Sequence, residues 1–415
     1  MINRRILATA LLTNFLPTTV KTTMRKKNIK QFGKTFDYLK NPDLRKKEIG
    51  KSILLVEGAA FFGEKFEGID WENIIFRDCE FNGAYEIGPR TSTNLRYEDC
   101  RFSGVLSFGV AKAVRFHRCS WAGAPVMFAE KGSTDTVFES CEFIGASADR
   151  NQQGTVGSEG EVEYSRCHAK WFNWAGDAAL TISDCECESI SIHTDSRANS
   201  GNDFLSSKVR IERSKLRGYF KMTATNLQSL AIQDTVIDNL DFSLSKIKEN
   251  VIIERVRGGY LNASAHSMGK LSISQCQILG RRKNFSFEVG MDSAEEVLIE
   301  HCNFGTDPTL SVGLGAGRPL EPNEWSTTPK NKYALIRNST LPVMDASWLE
   351  SRHLRLENNT IGSVDISNSR IGKLELSGNT ISREVNLKGT HVKESKIQPL
   401  TKSQAKLDGS NIKLN

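Results

Sequence analysis

No stretch of this 415-residue chain is apolar over the eighteen or so positions that a membrane-spanning helix needs. Cys-x-x-Cys is absent, and the seven histidines do not fall at metal-ligand spacing, which argues against the common zinc frameworks. Gly-x-Ser-x-Gly, His-Glu-x-x-His and the Gly-rich phosphate loop ending in Lys-Ser/Thr are also missing. Neither a metal nor another cofactor is therefore expected. Lys/Arg–aromatic alternation is not sustained, so the body of the chain is not expected to bind nucleic acid. Hydrophobic residues at 39% and charged residues at 25% exclude disordered, collagenous and disulfide-dense classes.

Charge is unevenly placed. Residues 1–51 hold thirteen Lys/Arg against Asp37, Asp43 and Glu48, a net of +10, which leaves −4 for the rest of a chain of net +6. A basic segment on a near-neutral body suggests a partner for that segment. The first 36 residues contain no acid and seven threonines, and Arg4 and Arg5 precede the apolar stretch Ile6–Leu16. That order resembles a secretory signal, but Pro17-Thr18-Thr19-Val20 offers no small-x-small cleavage site. Residues 1–24 read as a leader, disordered or signal-like. Residues 25–51 read as a basic cap, with one short helix around Phe32, Phe36 and Leu39 ending near Asn41-Pro42.

The remainder, 52–415, repeats. A ten-residue cassette of apolar-x-apolar-x-x-small-x-apolar-x-Gly recurs as IIFRDCEFNG (74–83), LRYEDCRFSG (95–104), VRFHRCSWAG (114–123), TVFESCEFIG (136–145) and LSISQCQILG (271–280). The small position steps by about twenty residues. Alternation at period two around Leu95 and Tyr97 argues for strands, with Cys100 and Phe102 also inward. Twenty residues are too few for a strand–helix–strand crossover. The expected fold is all-β, a right-handed parallel β-helix solenoid of about twenty residues per turn with a partly helical N-terminal segment.

The quintets CEFNG, CRFSG, CSWAG and CEFIG, beginning at Cys79, Cys100, Cys119 and Cys141, resemble pentapeptide-repeat units, and the whole body resembles right-handed parallel β-helix proteins. The resemblance implies a narrow core lined by a small residue and, two positions later, a large apolar one. It departs from true pentapeptide repeats because the quintets are not in uninterrupted tandem. Pentapeptide-like rods in bacteria include proteins delivered into host cells and proteins that bind other macromolecules. Eight of the nine cysteines occupy the small position, and Cys187 an apolar one, so they read as a packing ladder of reduced thiols. Reduced thiols favour a cytoplasmic home; export or delivery through a secretion pathway is the alternative.

Long insertions at 146–160, 194–207, 281–296 and 305–332 all follow the same cassette and so leave the coil on a similar side, the expected binding surface. Within or beside them lie the candidate residues. Trp171 and Trp174, in KWFNW, can stack on a sugar or a base, with one of the two expected to point inward. Asp195, Arg197 and Asp203 place two carboxylates and a cation on one excursion near His193, the set a glycosidic cleavage needs. Arg281 and Arg282 can bind an anion, and Trp325 lies in the longest insertion.

Two functions remain open at this level. One is a non-enzymatic interaction or scaffold protein, of the kind bacteria secrete or deliver as effectors, with a protein partner expected and a polysaccharide partner possible. The other is a carbohydrate-active β-helix enzyme, a polysaccharide lyase or glycoside hydrolase. No helix is evident to cap the last turn, so end-to-end pairing of two chains is a further expectation.

Overall fold

Each turn of the coil begins at a corner where the backbone enters the left-handed region. The residues at that corner are Asp78, Asp99, Arg118, Ser140 and Arg166 in successive turns, and the pattern continues through Asp184, Arg213, Asp234 and Arg255 to Asn358, with φ near +50° throughout. Few side chains tolerate this conformation, and Asp and Asn tolerate it best. The corner N–H donates to a carbonyl of the next turn, as from Asp99 to His117 (3.0 Å) and from Arg118 to Glu139 (3.0 Å). The corner is therefore held by the stack, not by local propensity.

The computed structural model describes residues 26–82, 89–103, 109–122, 126–128, 132–144, 155–158, 160–174, 178–193, 207–223, 226–242, 245–263, 267–279, 287–288, 294–314, 331–400 and 404–412. They form an all-β parallel solenoid of about 21 residues per turn. Two parallel sheets run along it. Sheet 1 contains strands such as Asp70–Arg77, Thr91–Glu98 and Val110–His117, and sheet 2 contains strands such as Glu80–Asn82, His168–Trp174 and Glu186–His193. Every strand pairs with its equivalent one turn away, as Phe76 with Tyr97 and Tyr97 with Phe116.

The core is a set of columns. In sheet 1, Phe76, Tyr97, Phe116, Phe138 and Tyr164 stack face to face with ring centroids 4.5–5.0 Å apart. In sheet 2, Phe61, Phe81, Phe102, Trp121 and Phe143 do the same at 4.5–4.8 Å. The two columns meet edge to face, as Tyr97 and Phe102 do at 5.8 Å. Later turns continue the columns with Ile and Leu, as at Ile211, Ile232, Ile253, Ile273 and Ile299.

All nine cysteines are buried and unpaired. Burial pushes the Cys187 thiol up to about 12. The small position has a polar role as well as a packing one. Its side chain accepts from the N–H of the small residue one turn before, as Cys185 Sγ does from Cys167 N (3.3 Å) and Ser214 Oγ from Cys185 N (3.1 Å). It also donates to a carbonyl, as Ser214 Oγ does to Glu212 O (2.8 Å). That N–H points into the interior and would otherwise be buried without a partner.

At the N-terminus, Lys27–Asn28 pairs in parallel with Ala59–Ala60 and starts sheet 2. Two helices follow, α1 (Lys34–Lys40) and α2 (Pro42–Ile49), where the sequence predicted one. Asn41 ends α1 as expected, its N–H donating to Asp37 O (2.8 Å), and also starts α2: its side-chain oxygen accepts from Leu44 N (3.0 Å), with Pro42 in the first turn. Leu39 and Ile29 are buried against the first turns, and Trp71 Nε1 donates to Leu39 O (3.1 Å). Among the described residues no helix is long and apolar enough to cross a membrane.

The C-terminal edge, expected to be open, carries its own closure. Gln398 Oε1 accepts from Asn379 N (2.7 Å) while its Nε2 donates to Asn379 O (2.6 Å). Asn411 does the same for Val392, at 2.9 and 2.7 Å. Two side-chain amides thus stand where the next turn's peptide would be.

Candidate functional site

The outer faces carry the features that packing does not explain. On sheet 1 and at the corners, charges alternate along the stack. Arg118 grips Asp99 with both fork nitrogens at 2.8 Å, Arg213 grips Asp184 at 2.9 Å, and Arg255 Nη2 reaches Asp234 at 2.8 Å. Each pair joins consecutive corners. Stacking sets equivalent residues one strand spacing apart, which lets a guanidinium lie over a carboxylate. The hydrogen-bonded Arg213 and Arg255 hold the Asp184 and Asp234 carboxyls below the usual carboxylate range. Arg77, Glu98, His117 and Glu139 line up in register and pair as Arg77–Glu98 (2.9 Å) and His117–Glu139 (3.2 Å).

Sheet 2 has a different exterior. In His168–Trp174 the inward residues are Ala169, Phe172 and Trp174. Trp174 is 1% exposed and its Nε1 donates to Gly160 O (3.2 Å), so this tryptophan is a core residue closed to ligands. Trp171 is the partly exposed member of the pair. Its column continues through Ser189, Tyr219, Asn239 and Tyr260 in successive turns. Tyr219 is 41% exposed, and Tyr260 is half-buried. An aromatic ring thus recurs on every second turn, separated by the short side chains of Ser189 and Asn239.

Local sequence explains how the rings are presented. The bulge between Leu216 and Tyr219 is filled by Arg217 and Gly218. A Cβ on Gly218 would lie 2.7 Å from Glu188 O and 2.9 Å from Ser189 Oγ, so the bend needs glycine. Ser189 Oγ accepts from Tyr219 N (3.4 Å) across the same bend.

Two columns flank the row. On one side Lys170, Glu188 and Asp238 precede Gly259, with Arg217 in the bulge and ion-paired to Glu186. On the other, Asn173 and Ser191 lead to Lys221 and Asp241, opposite each other in register, and then to Asn262. Asn173 Oδ1 is buried and has no hydrogen-bond donor among the described residues.

A concavity of about 290 Å³ lies farther along the solenoid between Thr306, Thr340, Thr360 and Arg383. Arg383 Nη2 crosses above Gly362 to donate to Pro342 O (3.1 Å). The guanidinium is thus held in the wall of this cleft.

No protein-family model matches the sequence, and no curated protein and no solved structure matches it either.

Asp195, Arg197, Asp203, Arg281, Arg282 and Trp325 lie outside the described residues. Asp195 follows His193, the last residue of the sheet 2 strand that carries Ser189, by two positions. Among the described residues no group of three or more His, Cys, Asp or Glu is arranged to hold a metal ion. Sequence reasoning singled out Trp171 and missed Tyr219 and Tyr260. The spacing between turns and the bulge before Tyr219 hide their alignment; a Gly immediately before each tyrosine was the available signal.

Proposed function

We propose that this chain is a non-catalytic interaction protein that uses the outer face of its solenoid to engage a macromolecular partner. The observation that carries the reading is the aromatic row on sheet 2, three large rings kept in register yet excluded from the core. The guanidinium forks support it, because they commit outer carboxylates such as Asp99, Asp184 and Asp234 to the stack. The quintets add a resemblance to pentapeptide-repeat proteins, some of which bind macromolecules. A protein partner and delivery as an effector belong to the same reading. The nine unpaired, buried thiols favour a reducing compartment such as the cytoplasm.

One observation favours a second reading, a carbohydrate-active enzyme. The strand Glu186–His193 belongs to the aromatic row's sheet and leads into the segment holding Asp195, Arg197 and Asp203. Both readings are separated by incubating the full chain with acidic and neutral polysaccharides and following reducing ends and unsaturated products. Binding without product supports the interaction protein. Turnover that is lost in Asp195→Asn or Asp203→Asn overturns it in favour of the enzyme.

A further inference from the structure

We propose that Trp171, Tyr219 and Tyr260 form a binding platform for an uncharged linear polysaccharide that lies along the solenoid axis. The proposal rests on the non-catalytic reading above and supplies its ligand class. Three features of the face lead to it.

The first is period. Rings on every second turn are about 10 Å apart, because neighbouring parallel strands are about 4.8 Å apart. That is the length scale of two sugar units in an extended glycan, so alternate sugars of one chain can each rest on a ring. A globular protein surface has no such repeat to match.

The second is shape. Ser189 is buried beneath the row and Asn239 is short, so among the described residues nothing tall stands between the rings. Gly218 and Gly259 directly precede Tyr219 and Tyr260, removing side chains from the bend beside each ring. Pyranose rings present flat apolar faces, and aromatic rings present the complementary surface.

The third is charge. On one side stand Lys170, Glu188 and Asp238, with Arg217 ion-paired to Glu186, and on the other Lys221 is opposite Asp241. Among the described residues neither flank carries a net positive charge. A single-stranded nucleic acid also stacks on aromatic rows, but it needs a cationic groove to follow its phosphates. A polyuronate needs the same. Neither finds a net counter-charge among the described residues here, whereas an uncharged chain needs none.

Affinity electrophoresis and calorimetry of the full chain test this with mixed-linkage β-glucan, glucomannan and arabinoxylan as neutral probes. Polygalacturonate and oligo(dT) serve as charged probes. At least one neutral glycan is expected to bind, with an affinity unchanged by added salt. Trp171→Ala and Tyr219→Ala are each expected to weaken binding about tenfold, on the scale of one aromatic contact. The triple variant with Tyr260→Ala is expected to lose binding. Circular dichroism and the thermal midpoint check folding. Tyr219→Ala alone suffices if the triple variant does not fold, since Tyr219 is 41% exposed.

The platform is overturned if no neutral glycan binds, if Tyr219→Ala binds like the parent, or if a charged probe binds best and is released by salt. A chain silent to every glycan overturns the platform alone and leaves the interaction reading to protein partners. Sugar release in the same mixtures overturns the non-catalytic reading while the row's affinity is still measured.

Discussion

At the residue scale, the small inward position of each turn has to satisfy two backbone groups while occupying little volume. Cys, Ser, Thr and Asn all meet that demand here. Ser339 Oγ accepts from Cys302 N (3.1 Å) and donates to Arg337 O (2.9 Å). Ser339→Ala strands the Cys302 N–H, while Arg337 O keeps the His301 N–H (3.2 Å), and an unsatisfied buried group costs about 1–3 kcal/mol. A fall in the urea midpoint of that order is expected, and Ser339→Cys should restore most of it, since cysteine fills the same position in other turns.

The corner forks titrate. Asp184 and Asp234 have carboxyls lowered by Arg213 and Arg255, so they bind protons less readily folded than unfolded. Their contribution is present above the unfolded carboxylate value, about 3.9, and is lost as pH falls through the lower folded value. Thermal midpoints measured against pH should therefore fall on the acid side of pH 4. Arg213→Met together with Arg255→Met should flatten that limb, and salt should flatten it too, because both pairs are exposed to solvent. The cassette was legible in the sequence because inward positions such as Cys100 and Phe102 face the same neighbours in every turn. The forks were harder to read, because Asp184 and Arg213 are 29 residues apart.

At the element scale, each strand is supported by its copies above and below. Phe102 stacks on Phe81 (4.8 Å) and Trp121 (4.7 Å) and meets Tyr97 edge-on. Phe102→Ala interrupts one column and touches the other, and an aromatic-to-alanine change in a core costs about 3–5 kcal/mol. Hydrogen exchange should show protection lost first in Arg101–Ser103 and in the strands next to it, Glu80–Asn82 and Ser120–Ala122, with distant turns unaffected. The strands also show where sequence reading stops. Two tryptophans in KWFNW read alike, and the bend between Ala169 and Phe172 decides that Trp171 turns out and Trp174 in. Tyr219 joins Trp171 only through a register that absorbs one extra residue at Gly218. Gly218→Ala is expected to disturb that bend, lowering the thermal midpoint and shifting Tyr219 out of the row.

At the whole-molecule scale, the two ends differ. The N-terminal end is covered by α1 and α2, with Leu39 buried and bonded to Trp71. The C-terminal end is finished by Gln398 and Asn411. Beyond them the last sheet 1 strand places exposed Ser395 in register with the core residue Leu374, and its outer positions carry Lys393, Glu394 and Lys396. Charged and polar edges resist strand addition. Sedimentation velocity should find no concentration-dependent association through this end. Gln398→Ala frees the Asn379 peptide and should introduce such association, or else fray the last turn in hydrogen exchange.

The handover of one inward N–H to the next turn's side chain has a consequence for the length of the molecule. Removing or adding one complete turn passes the bond along unchanged, whereas a fractional change strands a donor in the interior and slides every outer column past its neighbours. The coil is therefore a ruler graduated in whole turns. Any tract read by its outer face is measured in those units, and always in the same direction, because all the strands point one way.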